Sequence, residues 1–409
     1  MKNKPYLHKD FIDQRALEIV DALQKKSFTT YLVGGCVRDL LIGIQPKDFD
    51  IGTLAHPSQV KRTVPNSYII GRRFRLVLAK RHEDLFEIAT FRRDTTEEND
   101  SEDELDENAY GTAEQDAKRR DFTINGMFYD PFQEQLIDYN EGLQDLKKGI
   151  IRMIGEPETR LLEDPVRILR ALRLAHKINF SIAPELRQAI KDTAHSLAES
   201  ALPRRREEYL KFLRLNDPSM PFTEAHDLGV LKHIAPLLDE VFADPDKARG
   251  FVYRLRNYEV FQNDTSDNCT LFAGVIHAYY RTCIQPNMDK HPKVKDLKEN
   301  EQLKQLMRDE LGMFNYEQDR CLKALSMQKT LQSWEDYQRK GDRRKRAVFH
   351  NEAFPLGLMF SEVDQSLSDE AWAFWLDGYE QFLPDLVARD KEKQQQSRGK
   401  AGKRRSNRP

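Results

Sequence analysis

The sequence has little cysteine, no long apolar run and no dinucleotide fingerprint. Its four cysteines are scattered without a C-x-x-C pair, which argues against a zinc site or a disulfide framework. No uninterrupted apolar stretch is long enough to span a bilayer, and the N-terminal residues lack an apolar signal core. The motif G-x-G-x-x-G is also absent. We therefore expect a soluble, cytoplasmic protein whose 409 residues bury more than one core.

The stretch Tyr31–Thr53, YLVGGCVRDLLIGIQPKDFDIGT, carries the most chemistry. An apolar run stops at Gly34 and Gly35, and a short helical pattern follows. A second extended run then holds Asp48 and Asp50 around Phe49. Residues two apart in a strand point to the same face, so the pattern predicts two carboxylates side by side.

Two carboxylates held this close repel each other unless positive charge lies between them. Oxygen ligands suit Mg²⁺, which binds through one or two carboxylates together with substrate phosphates. The glycine pair allows the backbone to approach a phosphate, whose oxygens Arg38 can reach. Each feature alone also occurs without function, the Asp-x-Asp pair on solvated strands and the glycine pair in ordinary turns. Their joint occurrence in one strand–helix–strand unit favours a nucleoside triphosphate site with metal ions.

Further candidate residues follow along the chain. Residues 68–80 and 84–92 alternate like two antiparallel strands, and the second would bring Glu87 toward the aspartates as a third carboxylate. The alternative is an exposed glutamate paired with an arginine. In AKRRDFTINGMFYD, residues 117–130, Arg119 and Arg120 are candidate cations for phosphates, and Asp121 is a candidate acceptor for a sugar hydroxyl.

Two segments are dominated by charge of one sign. Residues 97–107, EENDSEDELDE, include eight acidic residues, which predicts a mobile loop because such a block repels itself. The final residues, SRGKAGKRRSNRP, are basic and contain no acid. We expect this tail to be disordered and to add a salt-dependent attraction to RNA.

From about residue 150 the apolar spacing becomes helical almost to the end of the chain. In GEPETRLLEDPVRILRALRLAHKINF, residues 155–180, Asp164 supplies hydrogen-bond acceptors and Arg167 supplies donors, so together they match the edge of a base. The alternative is a solvated stripe of arginines. A later basic cluster suits an RNA backbone or a solvated surface, and it comprises Arg343, Arg344, Lys345 and Arg346.

The motifs GGCVRD, PKDFDI, RRDFTIN and EDPVR together resemble those of the class II polymerase-β-like nucleotidyltransferases. This group contains bacterial poly(A) polymerases and CCA-adding tRNA nucleotidyltransferases. The resemblance covers residues 28–215 strongly and the rest loosely. It implies an α+β fold, with a small mixed-sheet head followed by an all-α neck, a helical body and the basic tail. The expected divisions are 1–27 (N-terminal helix), 28–150 (head), 151–215 (neck), 216–390 (RNA-binding body) and 391–409 (tail).

The resemblance also implies a role for each motif in transferring a nucleotide from ATP to the 3′ hydroxyl of RNA. Asp48 and Asp50 are expected to bind two Mg²⁺ ions, typically about 3.5–4 Å apart, with Glu87 and Asp121 completing the catalytic set. The expected nucleotide contacts are Gly34, Gly35, Arg38, Arg119, Arg120, Asp121, Asp164, Arg167 and Arg170. The expected partners are ATP and the 3′ ends of mRNA or tRNA, with neither DNA nor a membrane.

These shared motifs do not separate the two branches of the family. The segment IIGRRFRL, residues 69–76, resembles the poly(A) polymerase branch, although Leu78 stands where that branch ordinarily has histidine. His277 is followed by Ala278, so the His-Asp pair of an added phosphohydrolase domain is absent. We favour poly(A) polymerase, with a CCA-adding enzyme as the alternative. A non-catalytic RNA-binding protein with a decayed head is a hypothesis of another class.

Overall fold

A computed structural model describes residues 7–71, 76–93, 110–258, 267–287, 291–339 and 341–384. The acidic block 97–107, the basic tail 391–409 and the GRRFRL positions 72–75 lie outside the described residues. The chain divides into two compact units, residues 1–193 and 194–409.

The first unit is built on a seven-stranded mixed sheet. Its strand order is β3-β4-β5-β2-β1-β6-β7, and of the described pairs within this sheet β2–β5 is parallel and the others are antiparallel. A separate parallel pair is formed by β8 and β9. The strands are β1 Thr30–Val33, β2 Asp50–Thr53, β3 Ser67–Ile70, β4 Leu76–Arg81, β5 Asp84–Thr90, β6 Met127–Asp130, β7 Gln135–Asp138, β8 Ile150–Ile151 and β9 Ser181–Ile182.

The antiparallel pairing of residues 84–92 with the preceding segment is confirmed, because Val77 lies opposite Ile88 in the β4–β5 ladder. The expectation of one continuous strand over 68–80 is wrong. The segment divides into β3 and β4, which pair with each other. The chain leaves β3 at Gly71, whose φ of +87° favours glycine and ends the extended run.

Helices surround the sheet and continue through the second unit. They are Gln14–Gln24, Gly35–Leu41, Pro57–Thr63, Ala113–Lys118, Gly142–Lys148, Pro157–Glu163, Arg167–Ile178, Pro184–Thr193, Leu202–Phe212, Ser219–Asp227, Leu231–Ile234, Pro236–Ala243, Pro245–Asn257, Asn268–Tyr279, Val294–Glu299, Glu301–Lys304, Asn315–Ser326, Gln328–Gln332, Trp334–Arg339, Asp342–Phe349 and Phe354–Val363. Two π-helical turns, Tyr280–Ile284 and Gln305–Glu310, and a last helix over residues 369–384 complete them.

The predicted N-terminal helix is confirmed as Gln14–Gln24. The Asp13 carboxylate caps it by accepting a hydrogen bond from the backbone N–H of Arg15 at 2.8 Å. Four apolar residues at helical spacing are buried, namely Ala16, Ile19, Val20 and Leu23. The helix therefore has one apolar, buried face.

The α+β fold class is confirmed by a mixed-sheet head and a helical remainder. The second unit contains no strand among its described residues. None of the helices described is long and apolar enough to cross a membrane.

Candidate nucleotide-binding site

A glycine turn joins β1 to the helix Gly35–Leu41. Gly34 has a φ of +76°, a conformation that L side chains rarely adopt. A Cβ added there would lie 3.0 Å from Nη1 of Arg120 and would displace it. The backbone conformation therefore favours glycine at this position, and any other residue would also push the Arg120 guanidinium away.

The predicted carboxylates lie at one end of two adjacent strands. Phe49 and Ile51 are buried, whereas Asp48 and Asp50 are exposed, so the predicted alternation is present. Asp48 precedes β2 in extended backbone and Asp50 is the first residue of the strand. The parallel β2–β5 register sets Ile51 beside Ile88, which brings the preceding residues Asp50 and Glu87 near each other.

The electrostatics of Asp50 reflect this crowding of negative charge. Its pKa is raised to about 6, chiefly because the surrounding protein desolvates the carboxylate although the residue keeps an exposed surface. The charge of Glu87 raises the pKa further and Asp48 adds to it, while Arg120 acts in the opposite direction. An added cation would relieve this repulsion.

The donor chemistry fits magnesium without a preformed cage. Among the described residues, no three side chains of Asp, Glu, His or Cys come together as a metal site. Asp48 and Asp50 still provide the oxygen ligands that Mg²⁺ prefers, and the ion usually completes its coordination with water and substrate phosphates. The residues present therefore fit an ion that arrives with a nucleotide.

One buried carboxylate, which the sequence analysis did not single out, organises the two predicted phosphate-binding arginines. Oδ1 of Asp116 accepts a hydrogen bond from Nε of Arg119 at 3.0 Å. Oδ2 of Asp116 accepts two from Arg120, at 3.1 Å from Nε and 2.9 Å from Nη2. The Asp116 side chain is 4% exposed, against 33% and 23% for the two arginines. The buried Asp116 carboxylate therefore fixes the guanidinium groups of both arginines from the protein interior.

Asp121 is held in its charged form by its neighbours. Oδ2 accepts hydrogen bonds from Arg170, at 2.9 Å from Nε, and Oδ1 accepts from the N–H of Phe122 at 2.8 Å and Nδ2 of Asn125 at 3.4 Å. Burial alone would raise the pKa of Asp121, but the charge of Arg170 and these hydrogen bonds outweigh it and lower the pKa. A sugar hydroxyl would meet an ionised acceptor here.

Arg38 lies beneath the site rather than in it. Its side chain is 5% exposed. Its Nη1 donates to Oδ1 of Asn125 at 2.6 Å, and its Nε and Nη2 both donate to Oδ1 of Asp39, at 2.8 and 2.6 Å. In this conformation Arg38 hydrogen-bonds Asn125 and Asp39 and does not line the cleft described below, so the predicted phosphate contact stays a prediction.

The predicted base-selecting residues lie between two helices. Asp164 follows the helix Pro157–Glu163, and Arg167 begins the helix Arg167–Ile178. Nη1 of Arg167 donates to the carbonyl oxygen of Arg160 at 2.6 Å and to Oε2 of Glu163 at 3.2 Å. Arg160 in turn donates from Nη2 to the carbonyl oxygen of Arg119 at 2.7 Å. These hydrogen bonds connect the predicted base-selecting segment to Arg119, one of the predicted phosphate contacts.

These segments line one open cleft of about 420 Å³. Every predicted nucleotide contact except Arg38 lines it, together with Asp50. The lining residues are Gly34, Gly35, Asp50, Arg119, Arg120, Asp121, Asn125, Asp164, Arg167 and Arg170. Sequence reasoning missed Asn125, although it lies within the RRDFTIN motif that could have pointed to it.

The basic cluster of the second unit lies on the helix Asp342–Phe349. Arg343 and Arg344 are exposed. Lys345 places its ammonium 5.1 Å from the ring centroid of Phe374, and the guanidinium of Arg346 is 4.9 Å from that of Phe382. The first two residues are available to a phosphate backbone, whereas the other two also pack on aromatic rings. The RNA contact itself stays a prediction.

Two family models match this chain in consecutive segments. Residues 30–152 match the poly A polymerase head domain, and residues 179–242 match the probable RNA- and SrmB-binding site of polymerase A. The cleft-lining residues from Gly34 to Asn125 lie within the segment that matches the head domain.

Similar proteins include a poly(A) polymerase and a CCA-adding enzyme. The chain is 39% identical to poly(A) polymerase I of Haemophilus influenzae over 247 residues, which cover 58% of this chain and 54% of that protein. It is 32% identical to the CCA-adding enzyme of Ligilactobacillus salivarius over 263 residues, which cover 64% and 63%. The chain thus spans about half the length of the curated poly(A) polymerase.

Solved structures share the fold of this chain. The CCA-adding enzyme of Bacillus stearothermophilus in complex with CTP superposes with a TM-score of 0.66. The match covers 91% of this chain and 82% of that structure, at 22% identity. At this identity the similarity shows the fold alone.

Proposed function

We propose that this chain is a template-independent RNA nucleotidyltransferase that adds AMP from ATP to RNA 3′ ends. The observation that carries the proposal is the single cleft, which combines Asp50 with the glycine turn at Gly34 and four arginines. Such a cleft suits a triphosphate because guanidinium groups match phosphate oxygens and glycine permits backbone approach.

In the proposed reaction, the 3′ oxygen of the RNA bonds to the α-phosphorus of the nucleotide. The bond from that phosphorus to the pyrophosphate breaks, and the hydroxyl loses its proton. Asp48 and Asp50 are the residues that would bind Mg²⁺, with Glu87 beside them. When bound, the ion lowers the pKa of the attacking hydroxyl and neutralises the leaving pyrophosphate.

The remaining residues bind and orient the substrate in this scheme. Arg119 and Arg120 contact phosphates and are fixed by Asp116, so little reorganisation is needed when charge shifts toward the pyrophosphate. Asp121 accepts a hydrogen bond from the ribose. Asp164 and Arg167 contact the base edge, with Arg170 beside them. Protein groups then select the nucleotide in place of a nucleic-acid template.

Two observations favour ATP and poly(A) addition over CCA addition. The relative named poly(A) polymerase I is more similar to this chain, at 39% identity, than the relative named CCA-adding enzyme, at 32%. The segment 69–76 also resembles the poly(A) polymerase branch. CCA addition remains the second candidate because one relative of that name, from Ligilactobacillus salivarius, matches a larger share of both chains than the Haemophilus influenzae poly(A) polymerase does.

The test is incorporation from labelled ATP and CTP, supplied separately with Mg²⁺, on two RNAs. One RNA is a tRNA that lacks its terminal CCA, and the other is an unstructured oligomer. Long A tracts on either RNA with little use of CTP would support the proposal. Addition of three nucleotides to the tRNA alone, with CTP required, would establish the CCA-adding alternative. No incorporation at all would favour the non-catalytic RNA-binding hypothesis.

A further inference from the structure

Two aromatic side chains, Phe314 and Tyr316, are exposed together at the start of the helix Asn315–Ser326. Their exposed fractions are 55% and 64%. Their ring centroids are 6.1 Å apart and the ring planes differ by 20°, so the rings are stacked. A single exposed apolar residue is ordinary. A stacked and exposed pair, by contrast, presents a large aromatic surface to solvent.

A buried arginine holds this pair in place. The guanidinium of Arg206 lies 4.4 Å from the ring centroid of Phe314 and 5.1 Å from that of Phe272, and the side chain is 5% exposed. Its Nε donates to the carbonyl oxygen of Gly312 at 3.0 Å. Phe314 therefore has a cation beneath its ring, and the backbone leading into the pair is fixed.

Glu317 fixes the same segment from the other side. One oxygen, Oε1, accepts a hydrogen bond from Nη2 of Arg206 at 2.6 Å. The other, Oε2, accepts from the backbone N–H of Phe314 at 2.7 Å. Glu317 is fully buried. The two rings are thus pre-organised, and a ligand that stacks on them pays little additional ordering entropy.

The position of Arg206 indicates which ligand the pair fits. Arg206 lies in the helix Leu202–Phe212, within residues 179–242, the segment that matches the RNA-binding family model. Phe314 and Tyr316 lie outside that segment in sequence, but Phe314 contacts it through Arg206. Bases of single-stranded RNA stack on aromatic side chains without regard to sequence, because every base has an aromatic face.

We propose that Phe314 and Tyr316 form a base-stacking platform for single-stranded RNA, which extends the RNA-binding surface beyond residues 179–242. The platform rests on the proposed function, since it serves an enzyme that must bind RNA of varied sequence. The platform contributes base stacking, whereas the RNA phosphates are attracted by basic residues elsewhere in the chain.

The experiment measures binding of a labelled 15-nucleotide oligoadenylate to the full chain and to Tyr316→Leu and Tyr316→Trp, over a range of salt concentrations. Tyr316 is the better of the two positions because its side chain is the more exposed, and the hydrogen bond that its hydroxyl donates to Oε1 of Glu317 at 3.4 Å is lost equally in both variants. Loss of one stacking contact should weaken binding by roughly fivefold to a hundredfold. Leucine is therefore expected to weaken binding, and tryptophan is expected to retain it.

The salt dependence separates stacking from phosphate contact. The slope of log affinity against log salt reports the number of phosphates that a protein neutralises. Tyr316→Leu should lower the affinity at every salt concentration and leave this slope unchanged. A changed slope would overturn the proposal, because it would mean that the substitution acts through phosphate contacts.

Tyr253→Leu is the matched control. Tyr253 is exposed to a similar extent, 56%, and lies on the helix Pro245–Asn257 of the same unit. We expect this variant to bind RNA as the wild type does. Equal weakening by both leucine variants, or wild-type binding by Tyr316→Leu, would overturn the proposal. So would a change in oligomeric state caused by Tyr316→Leu with RNA affinity unchanged, because the surface would then be a contact between copies of the chain.

The same samples distinguish this proposal from the proposed function. AMP incorporation is measured for the wild type at saturating RNA. If the wild type binds RNA through Tyr316 but adds no nucleotide, the proposed function fails and the stacking platform stands. If Tyr316→Leu incorporates AMP at the wild-type maximal rate with a raised KM for RNA, both stand.

Discussion

The carboxylate of Asp116 accepts two hydrogen bonds from the guanidinium of Arg120, at 3.1 and 2.9 Å, from a position that is almost fully buried. The other carboxylate oxygen holds Arg119. The two arginines that line the cleft are therefore fixed by a residue that does not line it. Asp116 is a positioning residue for the proposed phosphate contacts.

We predict that Asp116→Asn raises the KM for ATP more than it lowers kcat. The amide oxygen of asparagine can still accept a hydrogen bond. Its NH2 group, however, would face the N–H donors of a guanidinium group, so at least one charge-assisted hydrogen bond is lost. Such bonds are worth about 1.5–3 kcal/mol, which corresponds to roughly a tenfold to hundredfold loss in kcat/KM. The measurement is steady-state AMP incorporation at saturating RNA.

Glu114→Gln is the control for Asp116, because Glu114 is exposed on the same helix and pairs with Lys118. It should leave the kinetics unchanged. A uniform loss of folded protein in Asp116→Asn, with an unaltered KM for ATP in the folded fraction, would contradict the positioning role.

Asp50→Asn should reduce incorporation by at least about a hundredfold, because metal-assisted charge stabilisation is worth several kcal/mol. RNA affinity should stay near the wild-type value. The midpoint of thermal unfolding should hold or rise, because the substitution removes a desolvated charge that Glu87 repels. Incorporation assays, RNA binding and thermal unfolding on one preparation test all three expectations.

The comparison for Asp50 is Asp192→Asn, a change at an exposed carboxylate on the helix Pro184–Thr193. It should retain full activity. Near-wild-type incorporation by Asp50→Asn would exclude the proposed role of the acidic strand ends.

Arg167→Lys should weaken discrimination between ATP and CTP. Lysine keeps the positive charge but lacks the planar fork that presents paired donors to a base edge. The hydrogen bonds to the Arg160 carbonyl and Glu163 would also be lost. We expect the ratio of the two kcat/KM values to fall roughly tenfold, since a bidentate contact is worth about 1–3 kcal/mol of discrimination.

Arg173→Lys, later on the same helix, provides the matched change outside the residues that line the cleft. Its nucleotide preference should equal that of the wild type. An unchanged preference in both variants would remove Arg167 from the proposed base contacts.

Glu310→Gln should stabilise the protein at alkaline pH. Burial raises the pKa of Glu310 from 4.5 to about 7, and the nearby acids Glu240 and Asp309 add to this effect, whereas hydrogen bonds from Gln305 and the Leu237 backbone oppose it. The unfolded chain releases this proton near pH 4.5, so the unfolded state binds fewer protons than the folded state between pH 4.5 and 7. The free energy of unfolding therefore falls as the pH rises through this window.

Glutamine does not titrate, so the Glu310→Gln variant lacks this decrease in the free energy of unfolding. We expect the decrease in the wild type to be roughly 1–3 kcal/mol between pH 5 and pH 8. The measurement is urea unfolding of both proteins at the two pH values. The exposed Glu335→Gln should follow the wild type. An identical pH dependence in wild type and Glu310→Gln would contradict the prediction.

The sequence by itself determined the residue types of the site and the fold class. Gly34, Asp50 and Asp121 stand in short local motifs, and local motifs are readable because strand alternation and tight turns depend on neighbouring residues. The helical remainder was predictable for the same reason, since apolar residues recur at helical spacing. Local patterns therefore identify candidate nucleotide contacts in both the head and the neck. They do not show that these residues come together in one cleft.

Only the tertiary structure decided which of these residues meet and which support others. Arg38 follows the glycine turn closely in sequence, yet its side chain is buried against Asp39 and Asn125. The strand predicted over 68–80 divides at Gly71, and Arg206 reaches Phe314 across more than a hundred residues. Such contacts depend on long-range packing, and a buried charge needs a partner that no local pattern specifies.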